Sequence, residues 1–542
     1  VNTGDSLKSH SQWNKMKFDS ILSEINGFGK FQISLFLIQM LSRITLPCHF
    51  LLNIFMAAVP SHHCNITGLD VGGVFWNLTE EQKLAVGVPV EQDGSLSSCL
   101  MFSKPQYQHL SGLNSSEDAV TVQCQNGWVY DNSTFKSTLT TEWNLVCSQK
   151  WMNKATATIF FIGVMFGAPL FGFLSDRFGR RRLLLVSYLS SMTFAVLSAV
   201  SPTYIMFVIM RFFTGMSLAG ISIISIVLNV EWVSIEHRTL AGIIVSLDVT
   251  LGNWILVGIA YFVNEWRMLI LAVTSPLVLS VIAWRWVPES ARWLLAKGDA
   301  DAAHHYIVKC AEMNNRTKCM ATVMPRVHDK KYAFVDIFKT PNIRKLSICL
   351  GIVWFGVELT YYGISLNITG FGLNLYLTHF IFASLELPVK IGVYFFLEKL
   401  GRRPCEMGTV FLTGLCLFIN ILVAKDKWAV RTVVASLGKA MSEASCTIMY
   451  LYTTELYPTV VRQNGVGYTA MVARLGVSIS PLVMLLEDVW YLLPAVTYCA
   501  MAIGSGLVAS LLPETLNTRL PEFIEDLQKL RQKESVLTKD CR

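Results

Sequence analysis

Residues 172–181 read Gly-Phe-Leu-Ser-Asp-Arg-Phe-Gly-Arg-Arg, and residues 396–403 read Phe-Leu-Glu-Lys-Leu-Gly-Arg-Arg, with the same ending. Both stretches stand between two long apolar blocks. Glycine lets the chain turn tightly there, while the acidic and arginine side chains can pair with each other and with helix ends. A charged turn that occurs twice in this setting indicates an internal repeat.

Two further motifs recur in the same order. Glutamate and arginine stand seven residues apart in residues 231–238 and again in residues 455–462. Residues 288–292, Pro-Glu-Ser-Ala-Arg, are matched by Pro-Glu-Thr at residues 513–515. The motifs predict two related halves and, unless these residues only cap helices and set topology, a gating network. Its predicted members are Asp176, Arg180, Glu231, Arg238, Glu289, Arg292, Glu398, Arg402, Glu455 and Arg462.

The composition excludes an ordinary soluble protein. Of the 542 residues, 52% are hydrophobic and 15% are charged, whereas soluble domains carry about 25% charged residues. The apolar residues form roughly a dozen blocks of about 20 residues, the length that a helix needs to cross a bilayer. We therefore predict an all-α polytopic membrane protein with twelve transmembrane helices in two six-helix halves.

The basic residues indicate how the chain is organised across the membrane. They cluster in short loops beside the apolar blocks, which is typical of the cytoplasmic side, so the net charge of +7 does not indicate a nucleic-acid partner. The lipid bilayer is the predicted surrounding, with both termini cytoplasmic. The predicted segments are an N-terminal segment 1–30, a first half 31–287, a linker 288–345, a second half 346–512 and a tail 513–542.

A long polar segment, residues 60–150, separates the first two predicted helices and is expected to be extracellular. It contains the glycosylation motifs of Asn65, Asn77, Asn114 and Asn132, and the cysteines Cys64, Cys99, Cys124 and Cys147. Four cysteines in an oxidising compartment predict two disulfides with three possible pairings. The segment therefore reads as a glycosylated, disulfide-bonded ectodomain.

The three repeated motifs resemble those of the major facilitator superfamily along nearly the whole chain. The four-cysteine loop, residues 287–293 (Val-Pro-Glu-Ser-Ala-Arg-Trp) and residues 455–459 (Glu-Leu-Tyr-Pro-Thr) resemble solute carrier family 22, and its organic anion transporter branch in particular. The resemblance implies a plasma-membrane carrier with the major facilitator fold. In such a carrier the charged turns would latch the halves together on the inner side, and breaking them would permit alternating access.

One buried charge indicates the cargo. Arg474 lies midway through an apolar block, where an ionisable residue is costly and functional by default. Its guanidinium keeps its charge and fits carboxylate or phosphate, and Lys390 in the eighth predicted helix is a second candidate. The alternatives are a permanent internal partner for Arg474, such as Glu358 or Glu443, and a snorkelling role for Lys390.

The family resemblance implies further pocket residues. Arg474 and Lys390 match the anion branch, and Tyr361, Tyr362 and Tyr450 match positions that face the central cavity. Cys446 stands where better-known members of that branch have phenylalanine. The specificity of those relatives therefore does not carry over in detail.

The sequence supports transport and not catalysis, because it lacks phosphate-loop, nucleophile-elbow and zinc-helix motifs. We predict no enzyme activity, no cofactor and no metal site. The favoured hypothesis is a secondary active or facilitative carrier of small organic anions; the resemblance adds a dicarboxylate such as 2-oxoglutarate as counter-substrate. The acids Asp248, Glu358 and Glu443 leave open a carrier of cations, zwitterions or neutral nucleobase-like solutes. A transport-dead receptor that displays the ectodomain is a third hypothesis.

Overall fold

A computed structural model describes residues 22–70, 78–91, 95–111, 120–234, 237–316, 336–366, 374–424, 427–458 and 461–516. Twelve long helices account for most of these described residues. The first six are α1 (Lys30–Met56), α2 (Lys150–Phe178), α3 (Arg180–Ala199), α4 (Tyr204–Glu231), α5 (Arg238–Phe262) and α6 (Trp266–Trp286). The second six are α7 (Pro341–Leu366), α8 (Leu375–Leu400), α9 (Arg402–Leu422), α10 (Trp428–Leu456), α11 (Arg462–Val483) and α12 (Leu493–Ala509).

Each predicted membrane helix corresponds to one of these twelve helices. Ten are long and apolar enough to cross a membrane. The other two are α10, which carries several charged side chains, and α12, which has 17 residues. Several helices begin earlier than their apolar blocks; α7, for example, begins at Pro341, because polar residues extend the helix beyond the hydrocarbon region.

The two repeated turns have the same conformation. Gly179, between α2 and α3, has φ 101°, and Gly401, between α8 and α9, has φ 96°. A side chain is strained at such an angle. A Cβ atom at Gly179 would also lie 2.7 Å from the Glu289 carboxylate, and one at Gly401 would lie 2.8 Å from the Glu514 carboxylate. Glycine is therefore required at both turns.

The two halves meet along α2 with α11 and along α5 with α8. We call the side of the membrane that carries residues 57–149 the loop side, and the opposite side the linker side. On the loop side, Tyr376 of α8 stacks on Phe55 of α1 with ring centroids 5.5 Å apart, and meets Tyr261 of α5 edge-on. Lys150 also pairs with Asp488 across the halves at 3.1 Å. The halves are thus in contact on the loop side.

The predicted linker packs against the first half. Its helix Ala300–Met313 ends beside Asn314, whose amide oxygen accepts a hydrogen bond from the Phe31 backbone at the start of α1 (3.0 Å). The thiol of Cys310 lies in the same contact, and burial raises its pKa to about 12. A thiol with this pKa stays protonated and unreactive.

The loop-side segment adds a small β component that the sequence did not predict. Strands β1 (His62–Cys64) and β4 (Trp128–Tyr130) form one antiparallel pair, and β2 (Leu100–Phe102) and β3 (Thr121–Gln123) form another. The disulfides join Cys64 to Cys124 and Cys99 to Cys147. The two predicted disulfides are confirmed, and one of the three pairings is selected. Asn77 and Asn114 lie outside the described residues, and glycosylation of all four sites stays a prediction.

The pairing predicts a specific peptide map. Proteolysis without reduction should yield a Cys64 peptide linked to a Cys124 peptide and a Cys99 peptide linked to a Cys147 peptide, as measured by mass spectrometry. Cys99→Ser should destabilise the ectodomain by about 4 kcal/mol. Without the Cys99–Cys147 disulfide, whose cysteines are 48 residues apart in the sequence, the unfolded chain has more conformational entropy, and this lowers the free energy of unfolding by that amount. A Cys64–Cys99 linkage in the wild-type map would contradict the observed pairing.

Candidate functional site

Charged side chains from four helices of the second half gather in the middle of the membrane. They are Glu358 of α7, Glu386 and Lys390 of α8, Lys439 and Glu443 of α10, and Arg474 of α11. All but Arg474, which is half-buried, are at most 8% exposed. Buried charges are stable only with partners. The pairing of these groups therefore indicates which of them can bind a ligand.

Lys390 is held by two acids. Its Nζ atom lies 2.9 Å from a Glu443 oxygen and 3.6 Å from a Glu386 oxygen. It also donates to the Ser246 carbonyl and to Thr250 Oγ1 of α5, both at 3.0 Å. The sequence treated Lys390 as an uncompensated cation or as a snorkelling one, and the structure places it in a buried ion cluster that contacts the first half. Its substrate contact stays a proposal.

Lys439 is a second lysine of this cluster, and the sequence analysis did not propose it as a binding residue. Its Nζ atom lies 3.7 Å from Glu386 and directly over the ring of Tyr361. The described residues offer this ammonium group no hydrogen bond. The signal in the sequence was the same as for Arg474: a cation inside an apolar helix.

Among the charged side chains of this cluster, Arg474 is the cation whose charge is least compensated. Within the described chain, no carboxylate oxygen lies within 4 Å of its guanidinium, and the Glu358 charge acts on it from farther away. The guanidinium carbon lies 5.5 Å from the ring centroid of Phe50, on α1 of the other half. Arg474 therefore faces the boundary between the halves.

Aromatic side chains surround this boundary. Phe50 contacts Phe161 of α2 at 6.0 Å, Phe161 contacts Tyr362 of α7 at 5.0 Å, and Tyr362 contacts Tyr361 at 5.2 Å. Tyr361 and Tyr362 are each 6% exposed. The structure thus connects these predicted pocket tyrosines to Phe50 and Phe161 of the first half.

The two predicted pocket residues of α10 differ in exposure. Cys446 is buried, whereas Tyr450 is 52% exposed. The Tyr450 ring packs edge-on against Trp354 at 4.8 Å, and Tyr450 lies near Arg474. Tyr450 is therefore both beside the arginine and accessible.

Three charged side chains of the first half, Arg43, Asp248 and Arg211, are also buried. Arg43 of α1 forms a buried ion pair with Asp248 of α5, so this acid has its own cation. Arg211 of α4, which the sequence analysis missed, is 1% exposed and hydrogen-bonds His49 while its guanidinium lies 4.4 Å from the Phe160 ring. An arginine about two helical turns inside an apolar block was the available signal.

The predicted gating residues form two similar clusters. In the first half, Arg180 pairs with Asp176 at 2.7 Å and with Glu231 at 3.2 Å. Glu289 accepts hydrogen bonds from the backbone N–H groups of Arg180 and Arg181. This carboxylate therefore caps the first turn of α3, where a helix favours negative charge.

The second half repeats the arrangement. Arg402 pairs with Glu455 at 3.0 Å, and Glu514 accepts hydrogen bonds from the backbone of Arg402 and Arg403 at 2.9 and 3.0 Å. Glu514 stood in a repeated motif, but we did not include it among the predicted gating residues.

The described ion pairs of the repeat each join residues of one half, so a latch between the halves stays a prediction for another conformation. Arg292 donates to the Glu231 carbonyl, and Glu398 is exposed. The side chains of Arg238 and Arg462 lie outside the described part of the chain.

The Lys390 cluster predicts strong coupling between its members. Lys390→Met should lower the free energy of unfolding by about 3–5 kcal/mol, because it leaves buried carboxylates without their main cation. Adding Glu443→Gln should recover much of that loss. The measurement is the melting temperature of the purified full-length protein, followed by fluorescence-detected size exclusion.

Lys83→Met is the control, since Lys83 forms an exposed ion pair with Glu80 and such pairs contribute about 0–1 kcal/mol. Additive losses in the Lys390→Met/Glu443→Gln variant would contradict the observed pairing. If Lys390 also contacts substrate, uptake should remain low in the double variant although its stability recovers.

Comparison with known proteins shows which family this chain belongs to. A profile of the family described as "Sugar (and other) transporter" matches residues 96–527. The chain is 44% identical over 540 residues to solute carrier family 22 member 7 of Rattus norvegicus, covering 96% of this chain and 100% of that protein. It is 34% identical over 527 residues to solute carrier family 22 member 6 of Rattus norvegicus, covering 95% and 94%.

A solved structure of the proton:xylose symporter XylE bound to 6-bromo-6-deoxy-D-glucose matches with a TM-score of 0.57 at 15% identity, covering 92% of this chain and 99% of that chain. This likeness confirms the predicted major facilitator fold. The fold and the relatives are those of multi-pass solute transporters and not of enzymes. The chain therefore belongs to the Sugar (and other) transporter family and, within it, to solute carrier family 22.

Proposed function

We propose that this membrane transporter carries small organic anions across the plasma membrane by alternating access, and that Arg474 binds the anionic group. The observation that carries the proposal is the state of this guanidinium: it is half-buried, and no described carboxylate lies within 4 Å of it. A buried cation that lacks a close partner strongly favours an anionic ligand.

The surrounding groups suit an anion with an aromatic or apolar body. Phe50, Tyr362 and Tyr450 lie around Arg474, and ligand sites combine mostly apolar walls with a few polar groups. We assign Tyr361 and Cys446 to the wall of the same pocket. Lys390 and Lys439 lie on its other side, where Glu386 and Glu443 balance their charge.

Exchange is the proposed driving mode. The repeated charged turns of both halves are intact, and alternating access in two-halved carriers uses rocking of one half against the other. We propose that a cellular dicarboxylate such as 2-oxoglutarate leaves as the outside anion enters. In this scheme both termini are cytoplasmic and the ectodomain, glycosylated at its asparagine sites, is extracellular.

One observation favours a second candidate, a carrier of zwitterions or neutral nucleobase-like solutes. Glu358 is 5% exposed, and its charge acts on Arg474 although the two form no close ion pair. A substrate with both an acceptor and a donor could meet both groups. Support for Asp248 as a cation site is weaker, because Arg43 already neutralises it.

Arg474→Ala should raise the KM for para-aminohippurate at least tenfold, because it removes a charge-assisted hydrogen bond worth about 1.5–3 kcal/mol. Arg474→Lys should recover part of the loss, since it keeps the charge without the planar fork. The measurement is uptake of labelled substrate by expressing cells, normalised to surface protein.

Arg344→Ala, at an exposed arginine near the linker-side start of α7, is the matched control and should leave the KM unchanged. Labelled tetraethylammonium separates the candidates. Unchanged anion uptake by Arg474→Ala, or tetraethylammonium uptake that Glu358→Gln abolishes, would overturn the proposed anion site.

Exchange has its own test. Cells preloaded with glutarate should take up labelled para-aminohippurate several-fold faster than unloaded cells, because the import of each anion is coupled to the export of another. Preloading with an uncharged sugar is the control. Equal rates after both treatments would indicate facilitated diffusion.

A further inference from the structure

The second half contains a crevice apart from the boundary between the halves. Its volume is about 170 Å³, and it opens among the loop-side ends of α7, α9, α10 and α12. The segment that follows α11, residues 484–492, forms one wall. All its lining residues belong to the second half, so the crevice is separate from the site around Arg474.

The polar groups of this crevice are incompletely satisfied. Arg431 of α10 reaches it, and the Nε atom of its guanidinium is buried without a hydrogen-bond acceptor among the described residues. Among the described residues, no acidic side chain forms an ion pair with Arg431. The amide oxygen of Asn420 is buried without a donor. Glu487, at the edge, lies 3.8 Å from Lys150 of the other half.

The remaining walls are apolar or aromatic, with Leu417, Met484 and Tyr498 among them. An apolar protein cavity of about 150 Å³ accepts benzene, so this space fits one aromatic ring. A guanidinium beside such a space adds a preference for a carboxylate. From these features we propose that the crevice is a second, non-transporting site that binds small single-ring aromatic carboxylates from the loop side.

The position of the crevice also predicts an effect on transport. Residues 484–488 form a short helix that lines it, and the same helix carries Glu487 and Asp488, which pair with Lys150 across the halves. A ligand that orders this segment stabilises the contact between the halves on the loop side. Occupancy therefore slows the opening of that side and inhibits transport without competing for Arg474.

Calorimetry with benzoate on the purified full-length protein tests the proposal in an Arg474→Ala background, which removes the guanidinium of the central site. Benzoate should still bind to Arg474→Ala. Adding Arg431→Met should weaken its affinity at least tenfold, and Arg431→Lys should have a smaller effect. Adding Ala495→Leu, which fills the crevice from a lining position, should weaken binding similarly and provides a variant that keeps the arginine.

Benzyl alcohol, the neutral counterpart of benzoate, should bind at least tenfold more weakly and should not respond to Arg431→Met. Adding the surface change Arg344→Met should leave the affinity for benzoate unchanged. Loss of benzoate binding in Arg474→Ala alone, equal binding of both compounds, or an unchanged affinity after both Arg431→Met and Ala495→Leu would overturn the proposal. The uptake phenotype of Arg474→Ala tests the transport proposal separately.

Discussion

A buried charge is stable only with a partner, and this requirement organises the middle of the protein. Most of its charged side chains pair with an opposite charge, whereas Arg211 is held by hydrogen bonds to His49. Lys390 lies between Glu443 and Glu386, Lys439 lies beside Glu386, and Arg43 pairs with Asp248. Each group is buried, so leaving any of them alone would cost several kcal/mol. Arg474 differs because it has only the more distant Glu358. Its incomplete compensation makes it the natural place for an anionic ligand.

A second carboxylate interaction supports the helices around this centre. Glu289 and Glu514 each lie at the end of a six-helix half and cap the helix that follows a glycine turn. The acid binds two backbone N–H groups, and the turn leaves no room for a side chain. The beginning of the third helix of each half is thereby fixed to the end of the sixth. This shared contact explains why the three motifs recur together.

The helices and the internal repeat could be predicted from the sequence, because the length of an apolar block and the residues of a charged turn are local properties. It was also sufficient to single out Arg474 and Lys390 as charges in the membrane. The partner of Lys390 was not predictable, since it depends on how α8 and α10 are rotated about their axes. The cysteine pairing likewise depends on the packing of the loop-side strands. Arg211 was missed, and Lys439 was not proposed as a binding residue, because their significance comes from neighbours on other helices.

The pairing of Lys390 has a consequence for how the halves separate. Its acids lie on α8 and α10, so they belong to the same half and move with it. Its contacts with the other half are hydrogen bonds to Ser246 and Thr250. The Arg43–Asp248 pair is likewise internal to the first half. Separation at this level breaks bonds to uncharged partners, worth about 1.5–3 kcal/mol each, and separates none of these buried ion pairs. The halves can therefore separate around Lys390 without breaking a buried ion pair, whereas Arg474 brings an incompletely paired charge to the same boundary.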